Sequence, residues 1–288
     1  MQSHREPAVL KVEPLAEGLA FPESPRWREG LLWFSDMHGR AIMSVDLAGR
    51  MQTHFELETQ PSGLGWRPDG TLLVVSMEDR RLLEARGGNL VAFADLSDLA
   101  PFHCNDMIVD GHGRAYIGNF GFDYEGRAPR CPTVLISVEP DGETRRAAAG
   151  LWFPNGMVIT PDGRTLIVAE SMANRLTAFS IGARGELTEQ RLWAELGSAT
   201  ADGICLDAEG AVWVASPPTS EVVRVTSDGS ITHRVPVLDQ AIACMLGGPN
   251  RRTLFVLSAP LRRAEKNRAL LRGRIGTVLV DVAGAGLP

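Results

Sequence analysis

The hydrophobic positions of this chain fall in short, nearly continuous runs separated by polar turns. Leu31-Leu32-Trp33-Phe34-Ser35 is followed, after the turn at His38-Gly39, by Ala41-Ile42-Met43-Ser44-Val45. The alternation returns as residues 71–75 with 81–84, as 115–118, and as 164–168 with 175–179. Apolar runs of this length predict strands buried on both faces, as between stacked sheets. Between them, Pro68-Asp69-Gly70, Pro140-Asp141-Gly142 and Pro161-Asp162-Gly163 supply the Pro, Asp and Gly chemistry of tight reversals.

These runs belong to a repeating grammar. A polar residue is followed four positions on by an apolar one and eight positions on by the Gly of a turn, after which a strand begins. Asp202 with Gly210, Asn155 with Gly163, Asn105 with Gly113 and Ser62 with Gly70 keep this spacing, Glu23 with Gly30 is one residue short, and Ile242 opens a degenerate sixth copy. The fourth position reads Trp27, Trp66, Val109, Ile159, Leu206 and Leu246, apolar every time. Successive copies start 39, 43, 50, 47 and 40 residues apart. All-strand units of this length match the blade of a propeller, so the expected fold is an all-β, six-bladed β-propeller using residues 1–288 as one domain. Residues 8–12 and 277–282 also read as strands. Sharing one blade, they would close the ring and remove the free edges of an open sheet.

Two stretches depart from the repeat. Residues 119–132 make a long third-unit connection that carries Phe120, Phe122, Asp123 and Tyr124, placed to border a binding site or to pack on its own aromatics. Residues 262–274 hold six basic side chains against one acidic and predict a helix or a loop with a solvated face, or one that steers an anionic ligand.

A net charge of -6 over 288 residues disfavours nucleic acid as a partner. Nothing approaches the ~20 apolar residues of a membrane span, and the charged first twenty residues build no signal peptide, so a cytoplasmic location is expected. Cys104, Cys131, Cys205 and Cys244 lack CxxC spacing and read as buried thiols in a reducing compartment. No GxSxG elbow, HExxH pair, Walker loop or helix-opening GxGxxG occurs, which argues against covalent serine catalysis and nucleotide binding.

The chemistry then rests on the repeated polar position. In a propeller the innermost strands line the axis, so Glu23, Asn105, Asn155 and Asp202 would face one another at one level. Two carboxylates and two amides crowded in a narrow channel repel unless a cation lies between them, and an all-oxygen set suits a hard divalent ion such as Ca²⁺, Mg²⁺ or Mn²⁺, with Zn²⁺ or Fe²⁺ also accommodated. Asx-turn residues bonding their own backbone at the start of each blade would leave the same spacing.

Pro22-Glu23-Ser24-Pro25-Arg26-Trp27, Asn105-Asp106-Met107-Ile108-Val109-Asp110, Asn155-Gly156-Met157, Asp202-Gly203-Ile204-Cys205-Leu206-Asp207 and Ala243-Cys244-Met245-Leu246-Gly247-Gly248 resemble, in order, the signatures of the senescence-marker-protein/gluconolactonase family, the regucalcin-like lactonases. The resemblance implies one divalent metal cation held by the residues matching Glu23, Asn155 and Asp202. It also implies a water or substrate contact at Asn105, a further polar substrate contact at Asp123 and an acid/base role for Asp202. Sugar lactonases of the family carry Arg two residues before the Asn. Here His103 stands there, trading a planar cation with several donors for an imidazole that exchanges protons near neutral pH.

The expected activity is therefore hydrolysis of a small-molecule lactone or related cyclic ester, with Asp202 or His103 drawing the proton from the attacking water. The position two residues before each ring residue reads Phe21, Gln60, His103, Phe153, Thr200 and Gln240. His103, Phe153 and Phe21 at the channel mouth would favour a substrate less polar than an aldonolactone. A non-catalytic propeller with a structural ion, binding a small ligand or a protein on its rim, is the alternative. Oligomeric state is left open.

Overall fold

A computed structural model describes residues 6–285 and places them in six β-sheets. The first four sheets are four-stranded antiparallel meanders with their strands in chain order from the inside outward; the fifth adds a parallel outer strand and the sixth takes its outer strand from the beginning of the chain. The innermost strands are Pro22–Arg28, Pro61–Trp66, Cys104–Val109, Pro154–Ile159, Ile204–Leu206 and Gln240–Gly247. Each lies beside the next, and the sixth lies beside the first, so the sheets form a closed ring of six blades. The second strands, such as Leu72–Ser76 and Val212–Ser216, are buried along their whole length, as their unbroken apolar sequence requires.

The core is divided among the seams between blades. Ile108, Tyr116, Met157, Leu166 and Phe179 fill the seam between the third and fourth blades, and Val158, Ile167, Ile204, Val214 and Val223 that between the fourth and fifth. Turn glycines of the repeat hold left-handed backbone, with φ of 88° at Gly70 and 70° at Gly163, a region open to Gly at no steric cost. The repeated Asp five residues after the ring position locks the same turn. Asp110 Oδ1 accepts the His112 and Arg114 N–H groups at 2.9 Å each, and Asp207 Oδ1 those of Glu209 and Ala211 at 2.9 and 3.0 Å.

The chain ends do share a blade, but in a different register from that expected. Glu13–Leu19, not residues 8–12, supplies the outer strand of the sixth blade, pairing antiparallel with Gly273–Leu279. Ala8–Val9 instead runs parallel to Ile231–Pro236 as a fifth strand on the fifth blade. Between the two, Leu10, Val12 and Leu15 pack into the seam of the fifth and sixth blades, and Gly276 lacks the side chain that would collide with Val12. Leu10 N–H still reaches the Arg234 carbonyl at 2.9 Å before the chain crosses to the sixth blade.

Because every blade begins at the same face of the ring, the connections from second to third strand emerge there too. Residues 120–132 of the third blade and 260–272 of the sixth are the long ones, and they stand three blades apart around the mouth. The basic segment forms a helix, Ala264–Leu270, ended by Leu271 in left-handed conformation. Cys104, Cys205 and Cys244 are buried as expected, but Cys131 is exposed because its loop lies outside the blades.

Candidate metal centre

Every ring residue except Asp202 sits at a β-bulge. The register slips by one residue between Glu23 and Arg26, Pro61 and Leu64, Cys104 and Met107, Pro154 and Met157, and Ala241 and Ala243. A bulge re-aims a side chain out of the alternation, and the same local irregularity recurs at the top of five of the six inner strands. Asp202 lies two residues before its short strand, its N–H bonded to Ala215 O at 3.0 Å. Neighbouring inner strands meet closely there. A Cβ on Gly156 would fall 2.6 Å from the Ile204 nitrogen, so only Gly fits beside the Asp202 backbone.

The ring residues bond across blades rather than to their own turns. Asn155 Nδ2 donates to Ser171 Oγ at 3.2 Å and to Asp202 Oδ1. Asn105 Nδ2 reaches the Pro154 carbonyl of the next blade at 3.3 Å. Glu23 Oε2 accepts the Ser24 N–H at 3.0 Å, the one local bond of the set. Glu23, Asn105 and Asn155 are buried; Asp202 keeps partial surface exposure although it is densely surrounded by protein. The Asx geometry considered for these positions occurs five residues later, at Asp110 and Asp207.

The electrostatics of the centre are those of crowded acids. Burial, then the carboxylates of Asp202 and Asp106, hold the Glu23 carboxyl well above its ordinary range. Burial pushes the Asp202 carboxyl up to about 8; the hydrogen bond from Asn155 opposes this and Asp106 adds to it. Asp106 is a member of the centre that the repeat comparison overlooked. The position after each ring residue reads Ser24, Gly63, Asp106, Gly156, Gly203 and Ala243, small in every blade but one, and that exception was the available signal. Arg26 answers it: its Nη2 lies 2.8 Å from Asp106 Oδ1, also donates to the Met107 carbonyl, and both side chains are buried.

One atom in this cluster points to a cation. Asn155 Oδ1 is buried without a hydrogen-bond partner, while its amide nitrogen is used twice. A buried carbonyl oxygen left unpaired beside two carboxylates is costly as it stands and suited to a hard ion. Among the described residues no three His, Cys, Asp or Glu side chains are grouped to hold a metal. The ring's donors are mixed, two carboxylates and an amide oxygen.

Around the mouth, His103 stacks on Phe102 at 4.1 Å between centroids, and Phe120 stacks on Phe153 at 4.3 Å. Phe122 and Tyr124 meet Phe153 edge-on at 6.1 and 5.8 Å. The long third-blade loop therefore folds over the ring positions of the third and fourth blades as one aromatic wall. Burial lowers the His103 pKa against the pull of Glu78, Glu125 and Asp123, keeping the imidazole neutral. Asp123 is half-buried and accepts the Gly126 N–H at 2.7 Å, so one of its oxygens is engaged in shaping the loop. Phe21 and Phe153, both expected at the mouth, are buried instead, at 5% and 7% exposed: Phe21 packs with Met37, Ile242 and Ala259, and Phe153 lies beneath the rings of Phe120, Phe122 and Tyr124. Ser62 Oγ is buried and unpartnered, and Ile242 is fully buried.

The family model described as SMP-30/Gluconolactonase/LRE-like region matches residues 21–260. Regucalcin of Homo sapiens is 25% identical over 292 aligned positions covering 96% of each chain, and that of Xenopus laevis 24% over 261 covering 87%. Among solved structures, a regucalcin from Agrobacterium tumefaciens, described as a calcium-binding protein, superposes with a TM-score of 0.81 at 25% identity, covering 98% of both chains. A gluconolactonase from Xanthomonas campestris shares the fold with a TM-score of 0.74 at 21% identity, covering 92% of this chain and 88% of its own. Six inner strands, five of them bulged, and a model match across most of the blades lead to one assignment: the chain belongs to the SMP-30/gluconolactonase/LRE-like family.

Proposed function

We propose that this protein is a divalent-metal-dependent lactonase acting on lactones less polar than a sugar lactone. The observation that carries the reading is the buried cluster of Glu23 and Asp202, whose carboxyls are both held toward the acid form, around the unpartnered Oδ1 of Asn155. Glu23, Asn155 Oδ1 and Asp202 would hold the ion, and three protein donors leave room for water and substrate. When bound, a hard ion such as Ca²⁺, Mg²⁺ or Mn²⁺ supplies Lewis acidity toward the ester carbonyl and stabilises the ionised carboxylates. The names of the relatives, regucalcin and gluconolactonase, support the same class.

The remaining work falls to the chain's own groups. Water adds to the lactone carbonyl carbon while Asp202, ionised, takes its proton. The ring C–O bond then breaks, and the same proton passes to the departing alkoxide, giving the hydroxy acid. Asn105, whose amide makes only a 3.3 Å bond to Pro154, orients the ester or the water. Neutral His103 lies beside the aromatic wall as an alternative proton acceptor and a substrate contact. Phe120 and Tyr124, the members of the aromatic wall that keep surface, would meet an alkyl or aryl portion, worth ~25 cal/mol per Å² buried, with Phe153 packed beneath them. A pH-indicator assay over a lactone series, run on chelated protein and after reloading with single metals, tests the reading. Undiminished hydrolysis by the metal-free protein would refute it.

A further inference from the structure

Beyond the ring residues, one polar side chain at the mouth is held with unusual care. The connections above the second strands share a register: the N–H groups of Met37, Met77, Phe120 and Ser171 bond to the carbonyls of Phe21, Gln60, His103 and Phe153, at 2.9, 2.9, 2.9 and 3.2 Å. The next residue therefore occupies a second tier over the ring, and in the first blade it is His38. Its imidazole lies 4.6 Å from the Phe21 ring, which packs on Ile242, the ring residue of the sixth blade. Asp36 fixes the base of this turn by accepting the N–H groups of Ala20 and Phe21 at 3.0 and 2.6 Å.

The helix of the sixth blade sets the imidazole's tautomer. Asn267 Nδ2 donates to the Pro260 carbonyl at 3.0 Å, which fixes the orientation of the amide, because a carbonyl accepts only a donor. The same nitrogen lies 3.0 Å from His38 Nδ1. Nδ1 must then be the acceptor, and Nε2 carries the hydrogen. Arg268 Nη1 donates to the His38 carbonyl at 3.3 Å, and burial followed by this guanidinium brings the His38 pKa down to about 4, with Glu265 opposing. The imidazole stays neutral. Asn267 is 1% exposed with Oδ1 unpartnered, so the bond to His38 is kept at the expense of a buried carbonyl. His38 is 6% exposed, and its Nε2 finds no hydrogen-bond partner among the described residues, so it is the polar ring atom left for a ligand.

We propose that His38 is a substrate-binding and specificity-determining residue whose fixed Nε2–H donates to an ester oxygen of a lactone bound at the mouth, with Asn267 as its positioning residue. An uncharged donor matched to an apolar wall selects a neutral ester, and the role rests on the lactonase reading for the identity of that ester.

The test uses dihydrocoumarin as probe with the metal-loaded protein. Imidazole ¹⁵N spectra of the wild type should show His38 as the Nε2–H tautomer, and its Nε2–H resonance should move on saturation with dihydrocoumarin. His38→Phe, which keeps the ring and loses the donor, should raise KM about tenfold with kcat little changed, the loss of one neutral hydrogen bond to bound substrate. His38→Gln, which restores an N–H near the Nε2 position, should recover most of it. Asn267→Asp should move the proton to Nδ1 in the spectrum and weaken binding comparably. An Nδ1–H tautomer in the wild type, a resonance indifferent to dihydrocoumarin, or wild-type KM in His38→Phe would overturn the proposal. A resonance that shifts in a protein that hydrolyses no lactone would support the donor role and overturn the lactonase reading instead.

Discussion

Removing the guanidinium from the Arg26–Asp106 pair should destabilise the protein more than any single change at the ring. The two groups meet at 2.8 Å, and their side chains are only 6% and 4% exposed. Arg26 also bonds the Pro25 and Met107 carbonyls, and Asp106 Oδ1 accepts the Met107 N–H at 2.8 Å, so the pair ties the inner strands of the first and third blades together. Arg26→Met leaves Asp106 buried and unpaired beside Glu23 and Asp202, and breaking such a pair costs about 3–5 kcal/mol. At roughly 2–4 °C per kcal/mol for a chain of this size, the thermal midpoint should fall by about 10 °C. Asp106→Asn, leaving Arg26 unpaired, should fall by a similar amount. The double variant removes both charges, so it should lose clearly less than the two single losses combined, a coupling of about 2 kcal/mol or more. Calorimetry on all four proteins in chelator measures this without reference to activity. Strict additivity, or an Arg26→Met midpoint within about 3 °C of wild type, would refute the view that this pair neutralises the third acid of the centre.

Glu23→Gln, Asn155→Ala and Asp202→Asn should each lower bound metal, by equilibrium dialysis, and lactone turnover by orders of magnitude while far-UV circular dichroism is unchanged, since a three-donor site has no spare ligand. Ser62→Ala and Ile242→Ala should be milder than Asn105→Ala in the same assays. In metal-free protein the Asp202 carboxyl is raised from 3.8 to about 8, so the folded state holds a proton that the unfolded chain releases. That stability is complete below about pH 4 and is lost as pH rises through 8. The gain in thermal midpoint on adding Ca²⁺ should therefore grow from pH 5 to pH 8, and a gain independent of pH would contradict it. Finally, kcat/KM should favour dihydrocoumarin over gluconolactone. A strong preference for gluconolactone that survives His103→Arg would rule out the apolar mouth.

The six blades were legible because each opens with the same local program of ring residue, apolar anchor and turn Gly, all within eight residues of one another. The ring position was legible for the same reason: Asn155 bonds Asp202, and the Asp202 carboxylate acts on Glu23. What escaped depends on partners far apart in the chain. Arg26 and Asp106 are 80 residues apart, and His38 and Asn267 are 229 apart, so neither pairing leaves a trace in a local repeat. The closing strand was misplaced for a related reason: residues 8–12 and 13–19 are equally plausible strands alone, and the room made for Val12 by Gly276 decides between them. Phe21 was expected at the surface of the mouth because its position, not its neighbours, was known.

The way the ring is closed also imposes an order on its assembly during synthesis. Glu13–Leu19 can find its partner only after Gly273–Leu279 has been made, some 250 residues later. At 5–20 residues per second, an early segment therefore waits on the order of 10–50 s for its strand. Through that interval the growing array of blades has two open ends, each an uncovered apolar blade face able to pack against another nascent chain. The alternation of Glu13, Glu17 and Gly18 with buried Ala16 and Leu19 keeps the waiting segment charged and poorly suited to pair with itself. A circular permutant that links residue 288 to residue 1 and opens the chain between two other blades would make this pairing local, and should shorten the time the ring spends open.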